Sequence, residues 1–200
     1  MADKAQVAYY DNLVPHFQAQ RDNPRNVSFR NLLDRWINPA KASKVLDFGC
    51  ALGYHGGPFS ERGMKVVGVD LSPKCIEIAR RDYPKATWYA GDMVGGEFKI
   101  AEKDFDWVIM SDVIEHVPKK LHARMFKIIG NMTKPYGAVI ASWPNPEKHE
   151  EAKAMGQPVE EEVHPFELLA RVRSGGFERV VSLYLDGIYY RAVIQKVGGI

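Results

Sequence analysis

Cysteine is scarce in this chain of 200 residues, which has only Cys50 and Cys75. Their spacing fits no metal-binding motif, and two cysteines do not make a disulfide framework. No apolar run approaches the roughly 18 residues that a membrane-spanning helix needs. The first residues, MADKAQVAYYD, lack the apolar stretch of a signal peptide. The sequence therefore predicts a soluble, cytoplasmic protein with no membrane partner.

Charge of one sign is also lacking. There are 27 Lys and Arg residues against 25 Asp and Glu, which gives a net charge of +2, and no block of five like charges occurs. This balance argues against a nucleic-acid partner, which would favour a basic patch. A hydrophobic content of 46% with 26% charged residues is ordinary for a globular protein. We therefore expect a single compact domain with a full-sized core.

Short apolar segments alternate with helical patterns along most of the chain. This alternation predicts an α/β fold with a largely parallel, doubly wound sheet. The last two segments are separated by Asp186-Gly187 and predict an antiparallel hairpin. The strands are expected at 45–48, 65–70, 87–92, 105–110, 136–142, 177–185 and 189–196, and the helices between them at 54–61, 73–82, 121–132 and 165–174. Residues 1–40 have a helical pattern and form an N-terminal cap in this interpretation, with the main domain at 41–200.

The first predicted strand runs into the sequence DFGCALG, which has the features of a turn over a small ligand. Gly49 and Gly53 allow the backbone to approach a ligand closely. On its own this signal is weak, because a glycine turn occurs in many α/β proteins. The Gly-x-Gly-x-x-Gly of dinucleotide sites is absent, and Asp47 would repel a phosphate. A zwitterionic or cationic ligand therefore fits better.

Three acids follow three successive predicted strands: Asp47, Asp70 and Asp92. Because the carboxyl ends of parallel strands meet at one edge of a sheet, these side chains should lie near each other, at the edge where ligands bind. Asp70 and Asp92 have a simpler alternative as helix caps or turn formers, since Ser72-Pro73 follows one and Gly95-Gly96 the other.

Taken together, these segments resemble the class I S-adenosylmethionine-dependent methyltransferases. LDFGCALG is similar to their first motif, VVGVDLS to the second, AGDM to the third and DWVIMSDVIEHVP to the fourth, in the correct order over residues 44–142. One departure is Ala51-Leu52, where many members have another glycine. The resemblance implies an enzyme with S-adenosyl-L-methionine as cofactor. It also implies a Rossmann-like sheet of seven strands, the last one antiparallel.

The resemblance also assigns roles within the cofactor site. Asp70 should accept hydrogen bonds from both ribose hydroxyls, and Asp92 should accept one from the adenine amine. Leu71 and Met93 should enclose the adenine. The positive charge of the ligand should lie near Asp47. Gly49, Gly53 and Ser111 complete the predicted cofactor contacts.

The sequence DVIEHVP after the fourth strand carries the candidate catalytic residues Asp112, Glu115 and His116. An imidazole has an unperturbed pKa of about 6.5, so His116 can accept a hydroxyl proton at neutral pH. It can equally be a structural histidine that fixes the loop before Pro118. Asp112 and Glu115 either orient His116 or cap a short turn.

A narrower resemblance is to the ubiquinone-biosynthesis O-methyltransferases, whose Glu-x-x-Glu-His-Val-Pro is similar to residues 112–118 here. In those enzymes two acids and the histidine can hold a divalent metal. Because Asp112 replaces the first glutamate, we assign no metal. Arg21-x-Asn23-Pro24 is similar to their Arg-x-Asn-Pro, in which the arginine reaches the methionine carboxylate, and this adds Arg21 to the predicted cofactor contacts.

These observations predict methyl transfer to an oxygen of a small metabolite, with a small-molecule acceptor as the partner. The alternatives are transfer to nitrogen by proximity alone, a protein or RNA methyltransferase, and a domain that binds the cofactor without catalysis. Residues 145–162 lack periodicity and form either a solvated surface segment or a lid over the pocket. Neither the acceptor nor the oligomeric state can be read from the sequence.

Overall fold

The computed structural model describes residues 4–41, 44–95, 98–148, 150 and 161–198. Within them, seven strands form one sheet in the order β3-β2-β1-β4-β5-β7-β6. Strands β1 to β5 pair in parallel, and β7 is antiparallel to both β5 and β6. The strands are β1 (Lys44–Phe48), β2 (Lys65–Asp70), β3 (Thr87–Ala90), β4 (Phe105–Ser111), β5 (Thr133–Pro144), β6 (Phe177–Asp186) and β7 (Tyr189–Lys196). The predicted Rossmann-like sheet with an antiparallel last strand is confirmed.

Seven α-helices flank the sheet in the described residues: α1 (Lys4–Asn12), α2 (Val14–Ala19), α3 (Pro24–Trp36), α4 (Gly57–Glu61), α5 (Pro73–Asp82), α6 (His122–Met132) and α7 (Pro165–Val172). Proline in the first turn starts α2, α3, α4, α5 and α7, where its missing N–H is not needed. Side-chain caps also begin α3 and α5: Asn23 accepts from the Asn26 N–H at 2.7 Å, and Ser72 accepts from the Cys75 N–H at 3.1 Å. No described helix is both long enough and apolar enough to cross a bilayer.

The sheet separates two clusters of buried apolar side chains. One lies against α6 and α7 and includes Phe126 and Phe177. The other includes Phe59, Ile76 and three residues of the N-terminal helix α3, namely Phe29, Leu32 and Leu33. Helix α3 is therefore part of the core.

Helices α1 and α2 differ from α3, because neither contributes a buried residue. Asp11 near the end of α1 accepts hydrogen bonds from the Ser72 hydroxyl at 2.5 Å and the Lys74 N–H at 3.3 Å. These contacts join α1 to the start of α5, next to the carboxyl end of β2. The two short helices consequently lie over the edge of the sheet where the predicted site residues are.

Candidate functional site

A cavity of about 850 Å³ opens at the carboxyl ends of the parallel strands. Its walls come from the turn after β1, the ends of β2, β4 and β5, and helices α1 and α2. Most of the predicted site residues line it: Gly49, Asp70, Leu71, Asp92, Met93, Ser111, Asp112 and His116. Arg21, Asp47, Gly53 and Glu115 do not line it.

The turn after β1 requires glycine for steric reasons. Gly49 and Gly53 have φ angles of 72° and 76°, in the left-handed region. A Cβ atom on Gly49 would lie 2.4 Å from Val113 Cγ2, and one on Gly53 would lie 2.7 Å from Trp88 Cη2. Ala51-Leu52 is the position where many family members have another glycine. Ala51 adopts a positive φ of 42°, so the turn keeps its shape there without a glycine. Gly49 thus brings backbone to the cavity, whereas Gly53 lets the turn pack on Trp88.

Asp47 lies beneath this turn and is only 1% exposed. Its Oδ2 accepts a hydrogen bond from the Gly56 N–H at 2.8 Å. Burial raises the pKa of the carboxyl group to about 7, against the opposing effect of that hydrogen bond. The Gly56 N–H is therefore bonded to Asp47 and is not available to a ligand.

Asp70 lies at the end of β2 and lines the cavity. Its Oδ1 accepts from the Ser72 N–H at 2.9 Å and its Oδ2 from the Ala51 N–H at 2.8 Å. Burial raises the pKa of this carboxyl group, and the backbone hydrogen bonds and the nearby charge of His116 oppose the rise. Asp70 thus forms the turn that the simpler alternative predicted. Each oxygen has a second lone pair, so the carboxylate can also accept from a ligand.

The predicted adenine contacts lie side by side in the same wall. Leu71, Asp92 and Met93 all line the cavity. The Asp92 Oδ1 accepts from the Gly95 N–H at 2.7 Å, which is the turn interaction that its alternative interpretation predicts. Met93 is 5% exposed and belongs to the core next to β4.

The opposite side of the cavity is rich in aromatic residues from α1 and α2. Tyr9, Tyr10 and Phe17 line it, and the Tyr10 ring meets the His116 ring edge-on at 6.0 Å between centroids. Two other aromatic residues, Trp143 and Phe166, do not line the cavity. Trp143 is fully buried, with its Nε1–H donating to Val163 O at 2.9 Å, and Phe166 is 85% exposed.

Asp112 has a φ of 52° and lines the cavity next to Ser111. Its Oδ2 forms an ion pair with Arg25 Nη1 at 2.8 Å, and its Oδ1 accepts from the Ser142 hydroxyl at 3.3 Å. Arg25 Nη1 also donates to the Tyr189 hydroxyl at 2.9 Å. Asp112 is thus held by Arg25 and Ser142 instead of orienting His116.

Sequence reasoning missed Arg25, Tyr189 and His55, all of which line the cavity. The sequence offered one indication of Arg25, because this residue directly follows Asn23-Pro24, a motif already assigned to the site. Burial, with the charges of Arg25 and two further arginines, lowers the pKa of His55 to about 3. His55 is therefore neutral at physiological pH.

Arg21 lies outside the cavity wall. Its guanidinium stacks over the Tyr54 ring at 5.0 Å from the centroid, and Tyr54 is the residue that lines the cavity. This arrangement therefore gives no support to the predicted contact between Arg21 and the methionine carboxylate. Arg25, not Arg21, lines the cavity.

His116 and Glu115 belong to a 3-10 turn at Ile114–His116. His116 lines the cavity, whereas Glu115 is 1% exposed and does not line it. Among the described residues, no three histidine, cysteine or acidic side chains are grouped as metal ligands. Of the candidate lid at 145–162, residue 149 and residues 151–160 lie outside the described residues.

A family model described as a methyltransferase domain matches residues 45–137, which include the turn after β1, Asp70, Asp92 and His116. Over these residues the chain is similar to a methyltransferase domain. The predicted resemblance to the class I S-adenosylmethionine-dependent methyltransferases is confirmed, and it supports the predicted enzyme class and cofactor, S-adenosylmethionine.

Relatives and solved structures agree with this domain. The chain is 28% identical over 140 residues to a demethylmenaquinone methyltransferase of Renibacterium salmoninarum, covering 68% of this chain and 56% of the relative. It is 32% identical over 114 residues to a ubiquinone biosynthesis O-methyltransferase of Thiobacillus denitrificans, covering 54% and 48%. It thus spans about half the length of these relatives. A TehB-like SAM-dependent methyltransferase from Corynebacterium glutamicum has the same fold, with a TM-score of 0.73, 20% identity and coverage of 97% and 100%.

Proposed function

We propose that this protein transfers a methyl group from S-adenosylmethionine to an oxygen atom of a small molecule, with His116 as the general base. The main support is that Asp70 and His116 line one cavity, so a cofactor held by its ribose and an acceptor beside His116 can meet there. Ubiquinone biosynthesis O-methyltransferases among the relatives support transfer to oxygen. A cavity of about 850 Å³ suits small molecules.

The residues present fit the cofactor. The backbone of Gly49 lies at the cavity without a side chain, and the Asp70 carboxylate has lone pairs available there. In this proposal Asp70 binds the ribose, Asp92 binds the adenine amine, and Leu71 and Met93 enclose the ring. Arg21 is left out of these contacts because it stacks on Tyr54 outside the wall.

The chemistry demands little of the protein. When bound, the cofactor supplies an activated methyl group on a sulfonium. The protein must align the acceptor oxygen with that methyl group, exclude water and accept one proton. In the proposed reaction the His116 imidazole would accept the hydroxyl proton as the methyl group passes from the sulfonium sulfur to the acceptor oxygen, with S-adenosylhomocysteine as the leaving group. Tyr9, Tyr10 and Phe17 cover this point and exclude water, which gives residues 1–40 their proposed role as a cap.

The test is His116→Ala with a panel of phenols, catechols and amines. We expect affinity for S-adenosylhomocysteine to stay near that of the wild type and turnover of a hydroxyl acceptor to fall by roughly 10²–10⁴. His164→Ala is the matched control, since His164 is exposed at the start of α7. If His116→Ala and chelator-treated wild type both remain fully active, the acceptor is a nitrogen and proximity alone carries the reaction.

A further inference from the structure

One wall of the cavity is a single loop that runs from β4 to α6. Six of its residues line the cavity: Asp112, Val113, His116, Val117, Pro118 and Leu121. The loop contains two short 3-10 turns, at Ile114–His116 and Lys119–Leu121, and no α-helix or strand. Its shape therefore depends on contacts from the protein beneath it.

The main contact from beneath is made by His122, the first residue of α6, which is 0% exposed. Its Nε2 lies 2.7 Å from Val117 O and 3.0 Å from Ile114 O. Carbonyl oxygens only accept hydrogen bonds, so Nε2 must carry the hydrogen. One N–H group thus binds the two carbonyls that flank His116 in sequence.

The contact of the other ring nitrogen, Nδ1, requires the same tautomer of His122. Arg171 Nη1, from α7, lies 2.9 Å from Nδ1. A guanidinium only donates, so Nδ1 must offer its lone pair. Both neighbours require the neutral Nε2–H tautomer. Burial and the charge of Arg171 lower the pKa of His122, which favours this neutral form, while the Val117 and Ile114 carbonyls and the charge of Glu161 oppose the shift.

The loop has a second attachment on the same side. The Glu161 N–H donates to Glu115 O at 2.8 Å, and the Glu161 Oε1 accepts from the Lys119 N–H at 3.1 Å. Glu161 therefore holds the middle of the loop, and His122 holds the carbonyls on either side. Together these contacts leave the backbone around His116 little freedom.

We propose that His122 is a positioning residue for His116: its imidazole, oriented by Arg171, fixes the turn that aims the His116 ring into the cavity. The consequence for catalysis rests on the proposed function, in which His116 is the base. Displacing a reacting group by about 1 Å can cost about 10²-fold in rate, so a contact behind the wall can matter as much as one in it.

The test compares His122→Leu with His122→Gln. Leucine removes the donor to both carbonyls and the acceptor for Arg171, whereas the glutamine amide supplies a donor and an acceptor again. The readout is the NMR titration of the His116 Cε1 resonance with S-adenosylhomocysteine bound, together with calorimetry of that ligand. His164→Leu is the matched control, because His164 is exposed and its side chain caps nothing.

We expect His122→Leu to move or broaden the His116 resonance, His122→Gln to restore it, and both to bind S-adenosylhomocysteine within about threefold of the wild type. With an acceptor from the panel, turnover should fall by about 10²-fold in His122→Leu and recover in His122→Gln. A His116 resonance in folded His122→Leu that superimposes on the wild type would overturn the proposal.

A second variant covers the case in which His122→Leu does not fold. Arg171 is 25% exposed in its side chain, so Arg171→Met is tolerable for folding; it removes the donor to Nδ1 and also the 3.4 Å ion pair with Glu167 on the same helix. The His116 resonance should shift in Arg171→Met and less in Arg171→Lys, and equal spectra in both variants and the wild type would also overturn the proposal. These spectra do not depend on His116 being the base, so a fully active His116→Ala would reject the proposed function and leave the positioning contact standing.

Discussion

Replacement of Asp70 tests the cofactor site, provided that its effects on folding and on binding are measured separately. Its carboxylate satisfies the Ser72 and Ala51 N–H groups at 2.9 and 2.8 Å in a buried turn. Asp70→Ala would leave both donors unpaired, at about 1–3 kcal/mol each. The sum, about 2–6 kcal/mol, is a large part of the 5–15 kcal/mol that stabilises a typical domain. Asp70→Asn keeps one acceptor and is the safer variant.

The effect on binding adds to the effect on folding. Loss of a charge-assisted contact to the ribose hydroxyls, which are left unpaired, should weaken binding of S-adenosylhomocysteine by about 2–4 kcal/mol in Asp70→Ala. At 1.4 kcal/mol per factor of ten, this is about 30-fold to nearly 1,000-fold in affinity. Asp70→Asn should lose less, since its amide can still accept one hydrogen bond. Calorimetry measures the affinity, and urea unfolding measures the stability of the same samples.

Asp106 provides the control, since its carboxylate also has two partners, the Lys44 N–H at 3.0 Å and Lys134 Nζ at 2.8 Å, but does not line the cavity. Asp106→Asn should lower stability and leave binding unchanged. A ligand that lacks the ribose 2′-hydroxyl sharpens the test. It should bind the wild type more weakly than S-adenosylhomocysteine does, and the difference in affinity between the two ligands should be smaller in the Asp70 variants. Unchanged affinity in a folded Asp70 variant would refute the assignment.

Two further substitutions test the turn after β1. The pKa of Asp47 is about 7 in the folded protein and about 4 in the unfolded chain. The folded state therefore favours the protonated carboxyl group, so the stability that Asp47 contributes is present below pH 4 and is lost as the pH rises through 7. Asp47→Asn should therefore gain stability over the wild type between pH 5 and pH 8, by up to about 4 kcal/mol, and parallel pH curves in urea unfolding would contradict this. Gly49→Ala should lower the free energy of unfolding by about 1–2 kcal/mol because of its left-handed φ, and by about 1–3 kcal/mol more because of the contact with Val113. Gly63 has a φ of 87° and open space around it, so Gly63→Ala should lose only the first amount. Equal losses in the two alanine variants would show that Val113 yields to the new Cβ atom.

The sheet and the glycine turn after β1 were predictable because short-range constraints determine them. A run such as KVVGVD has few structures available once both of its faces are buried, and it forms β2 over the predicted residues. The left-handed φ of Gly49 and Gly53 excludes larger residues from the turn. Such features depend on residues close in the chain, so the sequence pattern was sufficient.

The N-terminal helices show where periodicity stops being informative. Apolar residues recur at helical spacing in both halves of the segment 1–40, so both were predicted as helices of one cap. In the structure, α3 places Phe29 and Leu33 in the core, whereas α1 and α2 bury no residue and instead line the cavity. A helical pattern indicates that one face is apolar but does not indicate whether that face meets the core or a ligand cavity.

The choice between Arg21 and Arg25 depends on a constraint that motif matching does not contain. Asn23 caps α3 and Pro24 is in its first turn, so Arg25 is inside the helix and its direction is set by the helix axis. Arg21 precedes the cap, and its guanidinium lies over Tyr54. In the helix, Arg25 reaches Asp112. This ion pair could not be predicted from the sequence because its two residues are far apart in the chain.

The ion pair also changes the charge that the cavity presents to a ligand. An isolated arginine would attract a carboxylate, but Arg25 bound to Asp112 forms a nearly neutral pair. An acceptor without net charge therefore suits this side of the cavity better than an anion, which agrees with a phenol or an alcohol as the group that is methylated.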